Sequence, residues 1–340
     1  MTYKYAVLQN PGHNRVYFNS SAKLAKNELA ALFGGGIADI KEEQFGGVGY
    51  ITFTSETKLS DGDIILLSRL SFTYAVFEVC GGLFSPVVKN HSYYFGDELN
   101  MILKYSGKTN EIFTRLMINL AVFASGFRDG ALENLNLLDP VCGKGTTLFD
   151  GLICGYNCFG IDISEKLINE ASQFLKKYLE TGKYKHTQKK EKISGAGFKS
   201  QRHLFDIAKN KADQKGNKTL LCEFIDGDAA DAGKYYKKNT FHIIVGDLPY
   251  GVQHNNSTGG NKMRNPQNFI EAAAPVWAGL LKPGGAAALA WNTLLLRREK
   301  LEEIFAENKL EIPDFGVFGD FSHRVDSAIN RDVIIGVKKQ

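Results

Sequence analysis

Apolar and polar residues alternate over 3–8, which predicts a strand, and Asn10-Pro11-Gly12 then turns the chain. Ser21 is placed to cap a helix running through Leu24, Leu29 and Leu32 to a stop at Gly34-Gly35-Gly36. Further strand patterns cover 48–54 and 72–79, with Asp61-Gly62-Asp63 as a turn between them. From about residue 101 the pattern changes. Ile112, Phe113, Leu116, Met117 and Leu120 recur at helical spacing within 110–124. Short apolar runs at 135–138, 158–161, 220–225, 242–245, 286–290 and 333–337 then alternate with helical patterns at 147–154, 165–178, 267–281 and 298–307. Strands alternating with helices predict an α/β fold, a parallel sheet covered on both faces, and such sheets bind ligands beyond the carboxyl ends of their strands. The expected organisation is a small α+β unit over 1–98, a polar linker over 90–100, and a larger α/β unit over 99–340 with a basic insertion at 176–218.

Composition narrows the function classes. The 340 residues are 44% hydrophobic and 23% charged, which excludes a disordered or collagen-like chain. The most apolar stretch, 272–291, is broken by Lys282-Pro283-Gly284-Gly285, whereas a membrane span needs about 20 unbroken apolar residues. Residues 1–15 lack an apolar signal core, so the expected location is the cytoplasm. The five cysteines are scattered and odd in number, which argues against a disulfide framework, and no metal site is expected. A net charge of +4 specifies no partner by itself. Its distribution is more informative, because residues 176–218 hold thirteen Lys or Arg against four Asp or Glu. That stretch reads either as a solvated surface insertion or as a phosphate-contacting arm that orders on RNA. The polar, Gly-rich loop 254–268, with Lys262 and Arg264, could close over a flipped base.

The residues following the predicted strands carry the chemistry. After the first come Asp139-Pro140-Val141-Cys142-Gly143-Lys144-Gly145-Thr146-Thr147. The two glycines permit a tight turn and close backbone approach to a ligand, and Asp139 could hold a ligand ammonium. This run resembles motif I of S-adenosylmethionine-dependent methyltransferases, above all those acting on nucleic-acid amino groups. Asp162 ends the second strand, where a carboxylate suits two ribose hydroxyls, a placement shared by NAD-binding sites. After the third strand, in Asp226-Gly227-Asp228, the resemblance implies an acid that accepts from the adenine amino group; Asp228 is preferred and Asp226 is the alternate. After the fourth come Gly246-Asp247-Leu248-Pro249-Tyr250-Gly251. The lone pair of an exocyclic base amine is delocalised into its ring. Two acceptors on its N–H bonds, the Asp247 carboxylate and the Leu248 carbonyl, would make that nitrogen more nucleophilic, while Tyr250 stacks on the base.

Together these residues are similar to the methyltransferases whose fourth motif is (Asp/Asn)-Pro-Pro-(Tyr/Phe), and most to the THUMP-linked branch that forms N2-methylguanosine in transfer RNA. The similarity spans roughly 100–340 and includes a helix entry, Gly107-Lys108-Thr109-Asn110-Glu111, and a tail, His323-Arg324-Val325-Asp326-Ser327-Ala328-Ile329-Asn330-Arg331. It implies a Rossmann-like seven-stranded sheet and S-adenosylmethionine as cofactor, held by Asp139, Cys142, Gly143, Gly145, Thr146, Asp162, Asp228 and Asp247. It implies RNA, above all transfer RNA, as the partner, and Asp247, Leu248, Pro249 and Tyr250 as the catalytic group. Leu248 departs from the usual first Pro, and residues 1–98 are too short for a full THUMP module with its ferredoxin-like companion, so a partner subunit could supply RNA capture. The alternatives are a DNA adenine-N6 or cytosine-N4 methyltransferase, a non-catalytic RNA-binding protein with a residual pocket, and an NAD-dependent enzyme.

Overall fold

The computed structural model describes residues 2–10, 15–87, 93–101, 108–128, 134–195, 197–249, 266–313, 318 and 320–339. The first unit contains β1 (Tyr3–Gln9), α1 (Arg15–Phe33), β2 (Ala38–Phe45), β3 (Val48–Ser55), α2 (Asp61–Ser68), β4 (Thr73–Cys80) and β5 (Leu83–Val87). Its strands form a five-stranded antiparallel sheet in the order β2-β3-β1-β4-β5. The helix expected from Ser21 begins earlier, at Arg15. The turn at Asp61-Gly62-Asp63 is instead the first turn of α2, fixed by a reciprocal capping box between Ser60 and Asp63.

The rest of the chain comprises α3 (Glu98–Met101), α4 (Glu111–Ala124), β6 (Asn136–Asp139), α5 (Thr146–Ile153), β7 (Asn157–Asp162), α6 (Glu165–Thr181), β8 (Lys185–Gly195), β9 (Phe198–Ala208), α7 (Lys211–Lys215), β10 (Leu220–Asp226), α8 (Ala232–Tyr235), β11 (Phe241–Asp247), α9 (Pro266–Leu280), β12 (Leu281–Asn292), α10 (Arg298–Glu307), β13 (Leu310–Glu311), β14 (His323–Arg324) and β15 (Asn330–Lys338). The second sheet has ten strands: β13-β15-β12-β11-β6-β7-β10-β9-β8, with β14 beside β15. The neighbouring pairs among β10, β7, β6, β11 and β12 are parallel, and β15 runs antiparallel to β12. Strand order reverses between β6 and β11, which is where a doubly wound sheet opens its ligand crevice.

The seven strands from β13 to β10 correspond to the expected sheet, and the basic stretch accounts for most of the difference. It is not a loose insertion. β8 and β9 pair over eleven residues each, from Lys185↔Ala208 to Gly195↔Phe198, and β9 adds to β10. The inward side chains of β9 explain the attachment: His203, Phe205 and Ile207 are buried, and the Ser172 hydroxyl of α6 bonds the His203 ring at 2.8 Å. The expected linker also packs, since Phe95 and Leu99 are buried in the same core cluster as both sheets.

Several polar contacts join the units, from α1 and the segment after α2. Glu28 of α1 accepts from Asn119 Nδ2 of α4 at 2.7 Å and from the Ser71 hydroxyl at 2.6 Å. Arg69 Nη2 donates to the Cys154 carbonyl at 3.2 Å. Within the second unit, Arg115 of α4 makes a buried two-point bond to Asp150 of α5, 2.7 Å on each arm, which locks together two helices that border the crevice. Trp277 and Trp291 are core residues, their indole N–H groups donating to the Ala229 and Leu296 carbonyls. Among the described residues no helix is long and apolar enough to cross a membrane.

Candidate active site

β11 pairs with β6 through Ile243↔Leu137 and Ile244↔Leu138, so Asp139 and Asp247 end adjacent strands. Gly246, just before Asp247, lies against the first loop. A Cβ there would lie 3.4 Å from Val141 Cγ2 and 3.7 Å from Pro140 Cδ. The two loops that begin at 139 and 247 therefore leave the sheet side by side.

The first loop is fixed by its own backbone. The Cys142 N–H donates to the Ile161 carbonyl at 2.8 Å, and the Gly145 N–H to the Cys142 carbonyl at 2.7 Å. Gly143 and Gly145 have φ of +52° and +86°, a region that side chains with a Cβ rarely adopt. A Cβ on Gly143 would meet nothing within 4 Å, so its backbone faces open space where a ligand can approach. Gly145 opens α5, and Thr146 and Cys142 beside it are buried.

The neighbouring strand ends are tied to this loop. Asp162 accepts from the Gly143 N–H at 2.9 Å and the Ser164 N–H at 2.8 Å. Its carbonyl accepts from the Gly227 N–H at 2.9 Å, which brings the loop after β10 alongside. Asp228 caps the 3-10 turn at Ala229–Asp231 by accepting from the Ala230 N–H at 2.9 Å. The alternate, Asp226, is engaged by the Gln201 N–H of β9. Ile163, just past Asp162, is 69% exposed and gives the rim an apolar face. Sequence reasoning passed over it, although an apolar residue directly after the strand-end acid was the available signal.

Asp139 is 3% exposed, and burial pushes its carboxyl up to about 7. Hydrogen bonds from Thr147 and the Val141 N–H oppose that rise, while the nearby Asp162 and Asp247 charges reinforce it. A buried carboxylate of this kind fits the ammonium of an amino-acid ligand, and the open glycine backbone and Asp162 fit the remainder of a nucleoside-bearing cofactor such as S-adenosylmethionine. Burial likewise raises Asp162, against the two N–H donors it accepts from. Cys142 is raised well above the usual thiol range by burial, so it is no thiolate nucleophile.

On the other side of the crevice, Asp247 Oδ2 accepts from the Thr109 hydroxyl at 2.6 Å and lies 3.7 Å from Arg331 Nη2. The Arg331 guanidinium is stacked over the Phe113 ring of α4 at 4.6 Å. The Leu248 N–H donates to the Ala290 carbonyl of β12 at 2.9 Å; the Leu248 side chain is buried and Pro249 is exposed. Tyr250, Gly251, Lys262, Arg264 and Gly107 lie outside the described residues. Thr109 and Arg331 belong to the two flanking segments that carried the resemblance, yet nothing local in the sequence announces their contact with Asp247. Chemically, the crevice offers one carboxylate suited to a cation and, beside it, a second carboxylate held by the Thr109 hydroxyl and an ion pair with Arg331.

The family described as UPF0020, RMKL-like, methyltransferase domain, matches residues 122–303. No curated protein matches the chain. Among solved structures, a putative RNA methyltransferase from Pyrococcus horikoshii is similar at 12% identity and a TM-score of 0.40, over 72% of this chain and 98% of that one. Magnesium protoporphyrin IX methyltransferase from Synechocystis is similar at 13% identity and 0.40, over 84% and 100%. An rRNA methylase from Streptococcus thermophilus is similar at 11% identity and 0.35, over 61% and 89%.

Proposed function

The chain belongs to the UPF0020 family of RMKL-like methyltransferase domains and is an S-adenosylmethionine-dependent methyltransferase; on that premise we propose that it methylates the exocyclic amino group of a base in RNA, namely guanine N2 of transfer RNA. The observation that carries this reading is the placement of Asp247, anchored by Thr109 and Arg331, at the end of the strand next to Asp139.

S-adenosylmethionine supplies an electrophilic methyl group on a sulfonium. Asp139 holds the methionine ammonium, and the Gly143–Gly145 backbone, with Cys142 and Thr146 behind it, shapes the turn around the ligand. Asp162 accepts from the ribose hydroxyls and Asp228 from the adenine amino group. Asp247 and the Leu248 carbonyl accept the two N–H bonds of the target amine, Pro249 stiffens the turn, and Tyr250 stacks on the base. Asp247 also stabilises the positive charge that grows on the nitrogen during transfer. The methylated nitrogen sheds its proton afterwards, so no strong base is needed, and alignment in the crevice supplies much of the rate. Residues 1–98 serve as an accessory unit for RNA capture, with a partner subunit as the alternative source of that binding.

The test offers unmodified transfer-RNA transcripts and duplex DNA side by side with methyl-labelled cofactor, followed by nucleoside mass spectrometry. N2-methylguanosine in the RNA is the expected product. Label in DNA alone would contradict the proposal.

A further inference from the structure

The β8–β9 hairpin concentrates charge at one place on the sheet. Its two strands carry six Lys or Arg against two Asp or Glu, a surplus equal to the +4 of the whole chain. Part of this is neutralised internally: Arg202 pairs with Glu191 at 3.3 Å and with the buried Glu223 at 3.2 Å. Lys185, Lys189, Lys192 and Lys199 are exposed, and none is paired with a described carboxylate.

Register places this charge relative to the active site. β10 ends at Asp226, with Ile225 opposite Arg202 of antiparallel β9. The residues of β9 before Gln201, and their partners at the end of β8, therefore run beyond the carboxyl edge of the sheet, the edge that bears the crevice. Lys192 pairs opposite Gln201 and Lys199 opposite Ser194, so both project on the same face as Lys190. Lys190 donates to Asn169 of α6 at 3.3 Å, which assigns that face to the α6 side. Phe198 packs edge-on against Tyr235, with ring centres 5.4 Å apart, and so fixes the tip to the body of the domain. Lys190 and Lys192 stand about 6.7 Å apart by strand rise, close to the spacing of successive phosphates along an extended strand. β9 and β8 are four and five strand positions from β11, about 19 and 24 Å at ordinary strand spacing, distances that a few nucleotides bridge.

We propose that Lys190, Lys192 and Lys199 form a phosphate-binding rail that grips the RNA strand a few nucleotides from the base presented to Asp247. The proposal rests on RNA being the substrate. It explains why an edge strand so rich in lysine is held rigidly beside the crevice. Lysines also protect a sheet edge from pairing with other chains, but that role does not require one face of the hairpin to carry three lysines and neither of its acids, as this one does.

The test combines Lys190→Ala, Lys192→Ala and Lys199→Ala in the full chain. Binding of an unmodified transfer-RNA transcript is measured over a range of salt, and cofactor binding by calorimetry serves as the folding control. The variant is expected to bind cofactor like the unaltered protein and to bind RNA at least tenfold more weakly at low salt. Its plot of log affinity against log salt should be shallower by about 2, as for three lost phosphate contacts. If the unaltered protein methylates RNA and the variant keeps its RNA affinity and salt slope, the rail is overturned while the proposed function stands. If the unaltered protein neither binds nor methylates RNA, both fall.

Discussion

Arg331, near the start of the penultimate-edge strand β15, holds its guanidinium 3.7 Å from the carboxylate of Asp247, which ends β11. The two residues are far apart in sequence and on strands separated by β12. Thr109, from the entry to α4, reaches the same carboxylate oxygen. Asp247 is thus oriented through Oδ2 by two groups outside its own loop. Arg331→Ala is expected to lower kcat by about tenfold or more, as small misplacements of reacting groups do, with cofactor affinity kept. Arg331→Lys should recover only part of the loss, because an ammonium keeps the charge but not the planar fork stacked on Phe113. Combining Thr109→Val with Arg331→Ala should cost less than the product of the single effects, since both act through one carboxylate. Steady-state kinetics on these four variants and the unaltered protein checks this. A purely structural role would instead lower thermal stability and cofactor binding together.

The state of Asp139 gives the cofactor site a pH dependence. Its carboxyl, raised to about 7 by burial, is largely neutral at pH 6 and ionises as pH rises. Only the ionised form attracts an ammonium. Cofactor affinity should therefore increase by about fivefold or more between pH 6 and 7.5, a range in which the α-amino group of the ligand remains mostly charged, its ordinary pKa being about 7.7–8.0. Asp139→Asn should bind weakly and lose that slope. Calorimetric titration at several pH values is the measurement, and a flat profile in the unaltered protein would remove the ammonium contact.

Stability should move the other way at the junction of the two units. Burial raises the Glu28 carboxyl to about 7, despite bonds from Asn119 and Ser71 and the nearby Arg115 charge. The folded protein therefore holds a proton that the unfolded chain releases at the ordinary carboxylate pKa. Protonated Glu28 contributes fully below about pH 4.5, and its contribution is lost as pH rises through about 7, up to about 3 kcal/mol from this group. Chemical denaturation at pH 5 and pH 8 should show that decline, and Glu28→Gln should reduce it, leaving the part that the raised Asp139 carboxyl contributes over the same range. An equal decline in the variant would place the effect elsewhere.

Much of this arrangement was legible from residue order. Runs such as 242–245 and 286–290 are buried on both faces of the sheet, so continuous apolar character marked them, and the acids and glycines after each strand marked the crevice. The hairpin escaped because β8 is an edge strand exposed along most of its length, with no apolar alternation to betray it. β2 is charged and β5 carries Pro86, both on the edges of the first sheet, and they were missed for the same reason. The basic stretch read as a loop because charge density resembles solvation, whereas the buried His203, Phe205 and Ile207 decide its structure. Thr109 and Arg331 could not be read from local pattern, since their role exists only once α4 and β15 converge on Asp247.

The central claim is that Asp247 presents an acceptor amine to a donor held by the neighbouring Asp139 loop. Asp247→Ala tests it most directly, with methyl transfer to transfer RNA and calorimetric cofactor binding measured on the same preparation. The account predicts that transfer falls by about 10²–10³-fold or more while cofactor affinity changes little by comparison. Full transfer activity in that variant would contradict it.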